Sequence, residues 1–541
     1  LTGAVRADDQ EDFIWACARG EIAKMKALLA RGVDVNAPDN EGRRALYYTV
    51  ERGKVEATKL LLEKGADAHA ADRDGNSPLV TAVTKEDPGI VRLLLENKAD
   101  PNTRNKDGVN CLTIAVSELY PKPEIVELLL EKGADVNAAD DRGGTALIEA
   151  VYGGKMEIVT LLLARGADIN ARTKSGYNAL LVAVKNSLEL VRLLLDKGIE
   201  VNAQDNTVGT PLSFAVVNET ESSGEAKRAA SKEIIRLLVE RGADVNAPVG
   251  KDTGMLIWAM TRDYPDMVDL LLEKGAVPDV KTKRGEIPLI YATEKGKLAY
   301  IERLLQKGAD INVRDVFGQT SLMVAAAGGS EAILKFLLEK NAALNAADAN
   351  GETALLKATL AVKPGAVDLL LEKGADVRIA DKKGRTAMMA ALQKKRFDLA
   401  KALLLKGADA NTRDGDGTPA LTLAAAANEI DLVKLLLERK ANVNAQDRFK
   451  MSALMHASLP GNREILKLLL EKPVNVNEKD AHGFTVLMHI AIHGDAEILK
   501  LLLQKGANPL LKNEKNMTAL DIAKAADRLE IIDLLKKAGV K

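Results

Sequence analysis

Glu331-Ala332-Ile333-Leu334-Lys335-Phe336-Leu337-Leu338-Glu339-Lys340-Asn341-Ala342-Ala343-Leu344-Asn345-Ala346 is one copy of a phrase that runs through the chain. Its fuller form is Ile-Val-x-Leu-Leu-Leu-x-x-Gly-Ala-Asp-x-Asn-Ala. The residue before the Ala or Val of each copy marks an anchor: Gly32, Gly65, Lys98, Gly133, Gly166, Gly198, Gly242 and Gly275. The series continues through Gly308, Asn341, Gly374, Gly407, Lys440, Pro473, Gly506 and Gly539. Successive anchors are 33, 33, 35, 33, 32 and 44 residues apart, and then nine steps of 33 complete the series. A fixed period of this length is the mark of a solenoid, in which each unit buries its apolar face on its neighbours. Sixteen units account for almost the whole chain.

The other half of each unit repeats too. A glycine stands twenty-three residues before most anchors, as at Gly42, Gly75, Gly318, Gly351 and Gly384. A Thr/Ser-x-Leu-x-x-Ala run comes next, as in Thr145-Ala146-Leu147-Ile148-Glu149-Ala150 and Thr353-Ala354-Leu355-Leu356-Lys357-Ala358. The combination resembles the ankyrin repeat, a turn followed by Thr-Pro-Leu-His-x-Ala and a second helix. The resemblance covers about residues 9 to 541 and rests on repetition more than on any one copy. No unit has His directly after the Leu. Most lack the Pro, which survives in Ser77-Pro78-Leu79 and Thr210-Pro211-Leu212. In style the chain is similar to bacterial multi-ankyrin proteins.

The resemblance and the period together predict an all-α repeat solenoid. About sixteen helix-turn-helix units would be joined by β-turn or hairpin loops into a curved, elongated superhelix. Residues 1–8 read as a tail and 9–38 as an N-terminal capping repeat. Residues 39–507 read as inner repeats and 508–541 as a C-terminal cap. In each inner unit Asp-x-x-Gly makes a tight turn, and Thr or Ser caps helix A. Helix B carries an apolar Ile/Val and Leu stripe with Glu, Lys and Arg outside. The anchor Gly closes helix B in the left-handed conformation. The recurrent Asn of Asp-Val-Asn-Ala (Asn36, Asn137, Asn246) ties neighbouring turns through its side chain.

Departures from the period are informative. The 35-residue step comes from Ser117-Glu118-Leu119-Tyr120-Pro121-Lys122-Pro123, a stiff connection between helices A and B. The 44-residue step comes from Asn218 to Ser231, whose Glu/Ser/Lys/Arg content reads as a flexible loop or a helical extension after Gly224. Lys98, Asn341 and Lys440 can still take the left-handed turn, Lys at a cost of about 1 kcal/mol. Pro473 cannot, because its ring locks φ. Leu459-Pro460 and Gly461 break helix A of the same unit early, so a local softening or bend is expected at 459–475.

Composition narrows the function classes. The chain has 541 residues, 47% of them apolar and only 3% aromatic, so its core is thin layers of Leu, Ala, Val and Ile. A formal net charge of -1 gives no general pull on nucleic acid or anionic membrane, and the tip charges are mixed. No nucleic-acid partner is expected. No apolar run is long enough to span a membrane. The first residue is Leu1 rather than Met, which leaves a processed exported precursor or a trimmed chain open. The expected protein is soluble, cytoplasmic or exported after signal-peptide removal, and monomeric before it binds a partner. Cys17 and Cys111 fall where helix A needs small buried side chains.

No phosphate loop, dinucleotide fingerprint or zinc cysteine pair occurs, so neither cofactor nor catalysis is expected. His489 and His493 stand at i and i+4 but have no Glu between them. His456 and His489 lie one unit apart, about 8–10 Å, too far to share an ion. No metal is expected.

Binding remains. The residue before the helix-A Ala forms a ridge: Trp15, Tyr48, Thr81, Ile114, Glu149, Val182, Phe214, Trp258 and Tyr291, then Val324, Lys357, Ala390, Leu423, His456, His489 and Ile522. Both Trp residues of the chain fall on it. Such enrichment suits a hot-spot strip, although aromatics here also suit packing within the helix pair. A second set, Tyr177, Phe317, Phe449 and Phe484, sits at turn tips, where polar residues are cheaper in water. The resulting expectation is a non-enzymatic scaffold that binds a protein through its concave face and turn tips. The candidate contacts are Trp15, Tyr48, Tyr177, Phe214, Trp258, Tyr291, Phe317, Phe449, His456, Phe484 and His489. The alternatives are an immunity-type inhibitor that occludes a toxin or enzyme, and a passive structural adaptor.

Overall fold

The computed structural model describes residues 7–117, 122–207, 209–221, 224–247, 254–459 and 462–539. The described residues form thirty-two helices, two to a repeat, from Ala7–Arg19 to Leu529–Lys537. By packing the chain divides into two compact units, Leu1–Ala276 and Val277–Lys541. Repeats are numbered by anchor, from Gly32 in repeat 1 to Gly539 in repeat 16.

Within a repeat the sequence dictates the helices closely. Helix A of repeat 11, Ala354–Leu360, starts where the Thr353 hydroxyl accepts the N–H of Leu356. Ser77, Thr145, Thr386, Thr485 and Thr518 cap their helices in the same way. Each such cap satisfies one N–H that the first helical turn leaves without a partner. Helix B buries the predicted stripe: in Pro88–Glu96, Ile90, Val91 and Leu94 are completely buried. The helix-A Ala is equally buried at Ala150, Ala259 and Ala358, where a larger side chain would hold neighbouring helices apart.

The anchors behave as their side chains allow. Gly positions take positive φ, and so do Lys98 (67°), Asn341 (62°) and Lys440 (61°). At Pro473 the turn is rebuilt. Helix B, Arg463–Leu470, ends a residue short, and the N–H of Val474 donates to the carbonyl of Lys472 at 2.7 Å. Helix A of that repeat is also short, Ala453–Ser458, while Pro460 and Gly461 lie outside the described residues.

The Asn ladder is laid out repeat after repeat. The amide of Asn36 donates to the Gly65 carbonyl at 3.0 Å and accepts the N–H of Asp67 at 2.8 Å. Asn102, Asn137, Asn202 and Asn477 make the same pair of bonds to the next loop. Asn444 keeps the pattern on the carbonyl of Pro473, at 3.2 Å. The altered anchor therefore leaves the loop register intact.

The expected hairpin loops require correction. Among the described residues there is no β-strand, only isolated antiparallel bridges such as Arg104 with Asn110 and Gln446 with Ser452. The turn Asp is the reason. Asp72 Oδ1 accepts the N–H groups of Asp74 (3.0 Å) and Asn76 (2.8 Å), and the N–H of Arg73 donates to Glu41 of the preceding tip (3.2 Å). With those donors engaged by a side chain and by the adjacent tip, a cross-strand ladder cannot extend beyond one pair.

Of the two insertions, residues 118–121 of the first lie outside the described residues. Helix B resumes there at Pro123, and Lys122 Nζ donates to the carbonyl of Glu86 at 2.6 Å. The second is the helical alternative. Gly224 precedes a sixteen-residue helix, Glu225–Glu240, paired with the lengthened helix Pro211–Glu221. Glu219, buried in that pair, accepts the Tyr264 hydroxyl at 3.0 Å and pairs with Arg262 at 3.3 Å, fastening the insertion to repeat 8. In repeat 1 Phe13 and Ala16 are fully buried. In repeat 16 Asp533, Lys536 and Lys537 are exposed, Lys537 pairing with Asp533 at 2.6 Å.

Candidate partner-binding surface

The ridge and the tips meet at one recurring element, the turn Asp. Its Oδ1 holds the turn, and its Oδ2 faces the ridge residue nine positions later. At four ridge positions a donor meets it. Tyr48 donates its hydroxyl to Asp39 at 2.5 Å, and Lys357 Nζ lies 2.8 Å from Asp348. His456 Nε2 lies 2.7 Å from Asp447, and His489 Nε2 lies 3.2 Å from Asp480. Burial by itself would raise the Asp39 carboxyl, but bonds from Tyr48, Arg43 and Glu41 hold it below the ordinary carboxylate range. Burial would likewise raise Asp348, and Lys357 with two backbone N–H groups brings it down. At Glu149 the ridge offers an acceptor instead. Burial, and then the neighbouring Asp140, push its carboxyl up.

Most ridge candidates are therefore engaged inside the stack. Tyr48 and His456 are half-buried and His489 is buried. Burial pushes the His489 imidazole below its ordinary range, partly countered by Asp480. Trp258 is only 6% exposed, edge-on to Tyr264 at 5.9 Å, with its indole N–H unbonded. It packs as core. Phe214 and Tyr177, both half-buried, lean together at 5.9 Å under Lys185. Tyr291 is half-buried, with Lys295 over its ring at 5.5 Å. Phe484 is half-buried against His489 at 5.4 Å. Trp15 apart, the ridge aromatics Tyr48, Phe214, Trp258 and Tyr291 are half-buried or buried.

Three candidates remain at the surface. Trp15 is 54% exposed, Phe317 64% and Phe449 52%. At the latter two the backbone and the side chain have different fates. The Phe317 carbonyl accepts the N–H of Ala349, and the Phe449 carbonyl accepts that of Ala481, each at 2.9 Å. Their N–H groups donate to Asp315 and Asp447, each at 2.8 Å. The tip backbone is thus fixed by the stack while the ring stands in solvent, Phe449 flanked by Arg448 at 4.9 Å. A rigid, exposed aromatic loses little entropy when a partner covers it.

Sequence reasoning passed over several exposed apolar side chains, among them Val316 (54%) and Tyr152 (71%). Val316 adjoins Phe317 at the same tip and rests on Gly285 of the preceding one, where an added Cβ would lie 2.5 Å from it. Tyr152 ends its helix A, a place held by Glu51, Thr84 and Ser117 in repeats 2 to 4. Reading that column down the repeats would have exposed it.

Cys17 and Cys111 are fully buried free thiols, which burial pushes up to about 12. Among the described residues no three His, Cys, Asp or Glu side chains converge as metal ligands. None of the described helices is long and apolar enough to cross a membrane.

The family model described as ankyrin repeats (three copies) matches the chain over residues 13–105, 112–205, 173–249, 226–315, 256–348, 289–381, 322–414, 359–447, 387–480 and 454–541. No curated protein matches it significantly.

Proposed function

The chain belongs to the ankyrin-repeat family, and we propose that it holds a protein partner on its turn tips, with Phe317 and Phe449 as the principal contacts. Repeats of this family serve protein interaction rather than catalysis. The observation that carries the tip assignment is the exposure of both phenylalanine rings on backbones already fastened by hydrogen bonds. The ridge is the supporting layer: its Tyr, His and Lys side chains brace the turn carboxylates and so fix the tips.

Affinity capture from the source cells tests this, comparing the native chain with Phe317→Ser/Phe449→Ser. Circular dichroism first establishes equal folding of the two. The proposal expects a stoichiometric protein that the double variant loses. A protein retained equally by both would move the contact surface off the tips.

A further inference from the structure

The tips of repeats 9 to 12 form one unbroken row. Val316 lies on Gly285, the Phe317 carbonyl bonds Ala349 N–H at 2.9 Å, and the Asn350 carbonyl bonds Lys382 N–H at 2.8 Å. Along it the outward residues are Arg284, then Val316 and Phe317, then Ala349 and Asn350, then Lys382 and Lys383, all exposed. The turn acids of these tips are engaged within the stack. Asp315, Asp348 and Asp381 give Oδ1 to two backbone N–H groups each, and the last two are buried. Glu352 is held by Lys357 at 3.0 Å and Arg385 at 2.9 Å. Among the described residues no carboxylate pairs with Arg284, Lys382 or Lys383. The row stops at the next tip, where Asp416 stands, paired with Arg448 at 3.4 Å.

We propose that this row binds an extended acidic protein segment carrying one apolar anchor, with the anchor against Val316 and Phe317 and carboxylates at Arg284 and at Lys382 and Lys383. Adjacent helix pairs are about 9 Å apart, so three steps span roughly 27 Å, about eight residues of extended chain. Phe317 lies one step from Arg284 and two from Lys382. The anchor is accordingly flanked by acids about three residues to one side and five or six to the other. A nucleic-acid strand fits less well, because it brings a phosphate at every nucleotide while the middle of the row offers no cation. The acidic segment rests on the proposed tip-binding function and adds the chemistry of the partner.

A random twelve-residue peptide library panned on the full chain tests it. The best peptide is then measured by fluorescence anisotropy against the native protein, Phe317→Ser, and Lys382→Glu/Lys383→Glu. All three altered positions are at the surface, and circular dichroism verifies that the variants fold. The expected winners carry two or more carboxylates about an aliphatic or aromatic residue. Their binding falls about thirtyfold in Phe317→Ser and about tenfold or more in the charge reversal, and weakens with salt. The inference is overturned by no enriched peptide, by neutral or basic winners, or by acidic winners that bind the variants as well as the native protein. Displacement of the winning peptide by single-stranded nucleic acid or phosphatidylserine vesicles at equal charge concentration would also overturn it, reassigning the row to polyanions at large. Should the capture experiment still depend on Phe317 and Phe449 after any of these, the tip-binding function survives and only the acidic partner falls.

Discussion

Replacing Asn477 by Ala removes two hydrogen bonds that join consecutive loops: Asn508 N–H to Oδ1 at 2.7 Å, and Nδ2 to the Gly506 carbonyl at 3.0 Å. A net hydrogen bond contributes about 0.5–1.5 kcal/mol, so the pair is worth about 2 kcal/mol where water is absent. Asn477 is exposed, and water replaces part of what is lost, leaving an expected cost of about 1 kcal/mol. In a stack that is close to a sum of nearest-neighbour terms, the loss falls on the junction itself rather than on the whole chain. Native-state hydrogen exchange reads it directly. The Asn508 amide should exchange about fivefold faster in Asn477→Ala, with repeats 2 to 8 unchanged. Asn477→Asp keeps the acceptor and loses the donor, so it should fall between the two. An unchanged Asn508 rate, or an Asp variant as fast as the Ala one, would refute the ladder as a stabilising element.

Trp258 and Phe317, both candidate contacts by sequence, should part company on substitution. Trp258→Ala empties a buried site and should cost about 3–5 kcal/mol locally, whereas Phe317→Ser should stay within about 0.5 kcal/mol, both by urea denaturation. His489 gives a pH dependence of definite sign. Its folded-state affinity for a proton is lowered, chiefly by burial, so the unfolded chain takes the proton first as pH falls below the ordinary imidazole range, about 6.5. Repeat 15 should therefore be at full stability above that range and lose stability below it, and His489→Gln should flatten the slope in exchange measurements between about pH 5 and 7.

Legibility in the sequence tracked periodicity. The anchors, the helix pairs and the Asn ladder are set by local chemistry repeated down the chain, so patterns in one dimension sufficed. The strandless loops were not legible, because that depends on which acceptors the backbone N–H groups around Asp72 and its counterparts reach in the folded turn. The inward bonding of the ridge was not legible for a related reason. Tyr48, His456 and His489 look like free contacts until the turn carboxylate nine residues earlier folds back beneath them. Trp258 deceived because the lengthened helices of the insertion supply Glu219, which holds Tyr264 edge-on to the indole. The tips divide in two. Phe317 and Phe449 are exposed since a turn of this size has no interior to receive them, while Phe484 found His489 and Tyr177 found Phe214.

Whether the tips are the working surface is tested most directly by hydrogen exchange of the chain with and without its captured partner. Slower exchange confined to the tips that carry Val316, Phe317 and Phe449 is the predicted footprint. Protection centred on the outer faces of the B helices, with those tips unchanged, would contradict it.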